Sequence, residues 1–162
     1  MMADVLALMP SRASFNLATN PATSYLSDAG VPVHLLPNYS SIFEAYAHGV
    51  AELQPADDTI VLLLHDDVAF STPATELISL LAQHLRQPAI GFVGAAGARV
   101  LTQELVWWRS SSGNPGTPSG LASGLAGMVH HGLDPVTSER SFFGPFGRVV
   151  VLDGVFLAAT GV

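Results

Sequence analysis

The segment His65-Asp66-Asp67 sets an imidazole and two carboxylates side by side at the end of an apolar run, residues 59–64. Adjacent carboxylates are hard oxygen donors suited to a divalent cation such as Mg or Mn, and an imidazole extends the donor set. A cation held there would in turn hold a diphosphate. The same residue types also serve structure alone, with an Asp capping a turn and a histidine satisfied inside the core. Position favours the chemical reading. The sequence TIVLLL over 59–64 is apolar without alternation, as in a strand covered on both faces, and predicts a central parallel strand. Ligands of open parallel sheets bind beyond the carboxyl ends of the strands.

The elements needed to build such a sheet alternate through the first hundred residues, which predicts an α/β fold. A first strand is expected over 4–9, stopped by Pro10, then a weak helix over 14–29 ended by Gly30. A second strand over 32–36 closes at Pro37-Asn38. Ser41 and Glu44 have the spacing of a capping box, and Ile42, Tyr46, Val50 and Leu53 form the expected buried face of the helix that follows. Pro55 and Asp57-Asp58 end it in a turn. Thr72-Pro73 reads as an N-cap and first helical position, with Leu77, Ile78, Leu81 and Leu85 as the core stripe. A fourth strand is expected over 89–93. Residues 110–127, rich in Ser, Gly and Pro, read as a long loop, and 148–159 as strand interrupted at Asp153-Gly154.

Composition narrows the chemistry. The chain has 162 residues, 49% of them hydrophobic and 12% charged, which suits one packed domain over 1–162. Lysine and cysteine are absent, which removes a P-loop lysine, a Schiff base, a thiolate nucleophile, a disulfide and a Cys-zinc site. A net charge of −7 argues against a nucleic-acid partner, because duplex binding needs a basic surface. No apolar run approaches the roughly 18–20 residues of a membrane span, and no basic segment precedes the first apolar stretch. A cytoplasmic location is therefore expected.

In its order of segments the chain resembles the family 2 glycosyltransferases. Asn38-Tyr39-Ser40-Ser41-Ile42-Phe43-Glu44-Ala45-Tyr46 is followed by the strand and His65-Asp66-Asp67-Val68, similar to the His-x-Asp-Val motif of the streptomycin-biosynthesis-like branch. Gly91-Phe-Val-Gly-Ala-Ala-Gly97, Trp107-Trp108 and Val151-Leu-Asp-Gly-Val-Phe-Leu157 fall where that group has similar segments. The resemblance spans residues 4–160 and implies a Rossmann-like GT-A sheet that binds a nucleoside-diphosphate sugar and a divalent metal, Mn or Mg. It implies that Asp67 ligates the metal, that His65 replaces the first acid of the metal motif, and that Asp66 lies near the sugar or ribose. Pro10-Ser11 match the segment receiving the base, and Asn38 opens the next matching segment. The metal would stabilise the departing diphosphate while a carboxylate deprotonates an acceptor hydroxyl.

Two departures qualify what is expected. Ala47 stands where the family has Asn, and the family's acceptor-side acid would lie beyond Val162. The domain is therefore expected to be C-terminally short, with Asp153 the candidate base. A non-catalytic nucleotide-sugar-binding or interaction module is the alternative. The apolar run over 149–157 would then leave an open sheet edge, which a homodimer would cover.

The remaining candidates read as structure. Gly91, Gly94 and Gly97 lack the dinucleotide spacing and suit close backbone approach. His130-His131 fall on an expected loop without a third metal ligand. Of Trp107-Trp108 one is expected in the core, since consecutive strand residues face opposite ways. No Gly-x-Ser-x-Gly nucleophile elbow occurs.

Overall fold

A computed structural model describes residues 4–11, 19–101, 124–132 and 139–161, which carry an α/β architecture. By their contacts they form two compact units, Met1–Val93 with Gly154–Val162, and Gly94–Asp153. In the first unit β1 (Val5–Ser11), α1 (Pro21–Asp28), β2 (Val33–Pro37), α2 (Ile42–Leu53), β3 (Ile60–Leu64) and α3 (Ala74–Leu85) follow in turn. With β4 (Phe92–Gly94) and β9 (Phe156–Ala159) the strands make a five-stranded sheet ordered β2-β1-β3-β9-β4.

Burial on both faces explains the unbroken apolar run of β3. Ile60, Leu62 and Leu64 join Val5, Ala7 and Met9 of β1 beneath Ala22 and Leu26 of α1 and Ile78, Leu81 and Leu85 of α3. Val61 packs on the opposite side with Leu8, Leu36 and Ala45 and Tyr46 of α2. The expected central position holds, but the neighbours are mixed. β3 runs parallel to β1 and antiparallel to β9, with Leu62 opposite Ala158. Two-sided burial writes the apolar pattern whichever way the neighbour runs, so the sequence could not reveal direction.

Local signals placed most elements and misplaced several ends. β1 continues through Pro10 to Ser11, paired with Leu36 and Pro37 of β2. α1 starts at Pro21, capped by Asn20. On α2 the buried residues are Ala45, Tyr46 and Gly49, with Ile42, Val50 and Leu53 half-buried. Ser41 caps α2 as expected, its Oγ accepting from the Phe43 N–H at 3.2 Å. Glu44 does not close the box; its carboxylate accepts from the Ser40 hydroxyl at 3.0 Å. α3 begins one residue later than expected, with Pro73 at the cap and no side-chain cap bond. The Ile90 N–H is spent on a turn to the Gln87 carbonyl, which delays β4 to Phe92.

The second unit holds a sheet of four strands, β5 (Ala96–Ala98), β6 (Leu125–His131), β7 (Glu139–Gly144) and β8 (Val151–Leu152), ordered β7-β6-β5-β8. Residues 125–127 are therefore strand, not loop, and His130-His131 lie on β6 rather than on a loop. This sheet uses small residues for close approach of its strands, which gives it the composition of a loop. A Cβ on Gly127, at φ +103, would stand 2.1 Å from the Ala95 carbonyl oxygen, and one on Gly97 2.1 Å from that of Val151. Trp107-Trp108 and residues 110–123 lie outside the described residues.

The expected break at Asp153-Gly154 separates strands of different sheets, since β8 pairs with β5 and β9 with β3. β9 is no open edge; β3 and β4 flank it. No helix among the described residues is long and apolar enough to cross a membrane.

Candidate functional site

The first unit gathers most of the predicted site residues by topology. From β1 the chain crosses through α1 to β2 on one side, then returns through α2 to β3 on the other. α1 and α2 pack on opposite faces. The strand order therefore reverses between β1 and β3, and a sheet of this kind opens its ligand crevice at the carboxyl ends flanking that point. β1 ends there in Pro10-Ser11 and β3 in His65-Asp66-Asp67, both half-buried except for exposed Asp67. Asn38 follows the parallel strand β2 on the same edge, exposed and at φ 68, a left-handed conformation that Asn tolerates.

The three residues of the trio differ in setting. The His65 N–H extends the β3 ladder to the Val155 carbonyl at 3.2 Å. Its Nε2 is enclosed and has no hydrogen-bond partner among the described residues. Asp66 and Asp67 form the turn that follows. No three His, Asp or Glu side chains among the described residues converge as a metal cage. A cation at this edge would accordingly be held by one or two carboxylates and complete its shell with phosphate oxygens and water, as Mg commonly does. Of the two acids Asp67 is the more open to solvent.

Residues not anticipated from the sequence hold this edge in place. Asn20 is buried at the N-terminus of α1, and its side-chain amide donates to the Asp66 main-chain carbonyl at 2.5 Å. The Asn20-Pro21 dipeptide carried the signal, an N-cap before a first-turn proline. Tyr25 donates to the Thr72 carbonyl at 2.5 Å and stacks on Phe70, with ring centroids 4.8 Å apart. Burial, and secondarily the Glu76 carboxylate, raise the Tyr25 phenol above its ordinary pKa. On the opposite face Tyr46 is 6% exposed, and its hydroxyl has no partner among the described residues. Burial pushes that phenol far up.

Asp153 belongs to the second unit, where its N–H donates to the Ala96 carbonyl at 2.8 Å. In the same unit His131 Nε2 lies 2.9 Å from the Ser141 hydroxyl on the exposed β6–β7 hairpin. No protein-family model matches this sequence, and no curated protein does.

Proposed function

We propose that the carboxyl edge of β1 and β3 binds a nucleoside-diphosphate sugar with a divalent cation, and that the chain is a glycosyltransferase of the GT-A type. The observation that carries this reading is the reversal of strand order between β1 and β3, with two carboxylates at its mouth. Pro10 and Ser11 would border the base, Asn38 and Asp66 the ribose and sugar, and Asp67 the cation. His65 stands beside Asp66 as a further polar group. A bound cation neutralises the diphosphate and eases its departure. The chain's own part is to present the acids, exclude water along the apolar strands and orient the sugar.

Titration with UDP and GDP, with and without Mn, tests the assignment. Cation-dependent binding of at least one nucleotide, lost in Asp67→Ala, is the expected result. No binding of either nucleotide in the presence of Mn would remove the reading.

A further inference from the structure

Two tethers from one helix hold the segment that follows β3. Asn20 is 7% exposed, and its Oδ1 accepts from the Thr23 N–H at 2.9 Å and the Thr23 hydroxyl at 3.1 Å, capping α1. Its Nδ2 reaches 46 positions along the chain to the Asp66 carbonyl. Just over one turn into α1, Tyr25 bonds the Thr72 carbonyl, and its ring stacks on Phe70 at an interplanar angle of 23°. Phe70 in turn meets Phe156 of β9 edge-on, with centroids 5.4 Å apart. The stretch 66–72 is thus pinned near both ends to α1 and in its middle to the core.

The first tether has a directional consequence. A peptide group is planar and trans, so fixing the Asp66 carbonyl toward Asn20 fixes the Asp67 N–H on the opposite side. The Cα of Asp67 closes that same peptide plane, and the direction from which its side chain departs is constrained with it. A turn fixed before binding loses less freedom when a ligand arrives. Capping alone needs only the acceptor of Asn20, and Ser or Asp would supply one. The donor half is what reaches the Asp66-Asp67 turn.

We infer that Asn20 is a positioning residue, which couples the N-terminus of α1 to the presentation of Asp67. The inference rests on the nucleotide-sugar reading only for the identity of the ligand. The Asn20 amide aims the turn, and Tyr25 with Phe70 holds its far end.

The test uses the full chain, two tether variants, and Asp67→Asn as a second background. Asn20→Ser keeps a helix cap but cannot reach Asp66, and Tyr25→Phe keeps the ring stack but loses the bond to Thr72. In ligand-free protein, amide exchange over 66–72 rises at least tenfold in each, while the β3 amides keep their protection. Unchanged exchange over 66–72 in both variants overturns the inference, whatever the ligand. With UDP and Mn, Asn20→Ser weakens binding about tenfold in the wild-type background and has no further effect in Asp67→Asn. An equal loss in both backgrounds shows that Asn20 does not act through Asp67, and also overturns it. If wild-type protein binds no nucleotide, the ligand reading fails while the exchange result still decides the tether.

Discussion

Leu8 of β1 and Leu63 of β3 are paired in parallel register, and between these strands the crossovers of the sheet change direction. Both strands therefore emerge on the same edge, one into Pro10-Ser11 and the other into His65-Asp66-Asp67. Leu8 is fully buried in the sheet behind that edge, and Leu63 is half-buried. Pro10 and Ser11 are set by β1 itself, whereas Asp66 and Asp67 lie in the turn beyond β3.

Asp67 is exposed, so Asp67→Asn should change stability by no more than about 0.5 kcal/mol. Its effect should fall on the ligand. Calorimetric titration of UDP in Mn is expected to show a loss of tenfold or more, and a chelator added to wild-type protein should produce a similar loss. Affinity indifferent to the chelator would remove the cation from the site.

The Tyr46 hydroxyl contributes nothing that the described residues can repay. A buried polar group left unpaired costs about 1–3 kcal/mol, so Tyr46→Phe should be as stable as wild type or more so by about 1 kcal/mol. Removing the ring is another matter. Tyr46→Ala should cost about 3–5 kcal/mol through the cavity it leaves against Leu8 and Val61. Urea denaturation at neutral pH measures both.

The same residue predicts an alkaline limit. Burial raises its folded pKa, whereas in the unfolded chain the phenol ionises near 10. Above about pH 10 the unfolded state loses a proton that the folded state keeps, so stability present below that pH falls as the pH rises. Tyr25 adds a contribution of the same sign in both proteins. The wild-type urea midpoint should therefore decline more steeply than that of Tyr46→Phe, and parallel declines would contradict the burial argument.

In the second unit, Gly127→Ala would drive a Cβ into the Ala95 carbonyl from a positive φ. A loss of more than about 2 kcal/mol is expected. It should appear first in exchange of the Met128 amide, which bonds the Ala95 carbonyl at 3.2 Å. Protection of the β3 amides measures the other unit for comparison.

Core and surface apolar residues should separate cleanly. Leu62 is 0% exposed at the centre of β3, and Leu62→Ala should cost about 3–5 kcal/mol. Phe43, 76% exposed on the first turn of α2, should tolerate Ala within about 0.5 kcal/mol. Matching losses for the two would mean that Phe43 is covered in solution.

The sequence by itself determined the succession from β1 to α3, because those elements announce themselves locally. A two-sided apolar run marks β3, a serine cap opens α2, and helical spacing marks the buried stripe of α3. It also determined that two acids follow the most buried strand. Tertiary structure alone decided that β9 returns antiparallel beside β3, that Gly97 and Gly127 belong to tightly paired strands, and that Asn20 reaches Asp66. Each of these joins residues far apart in the chain, and neither propensity nor periodicity reports such a partner. Strand pairing and side-chain tethers are set by which surfaces meet once both faces of the sheet are covered. That is also why His65-Asp66-Asp67 was legible as a group, while the residue that orients its turn was not.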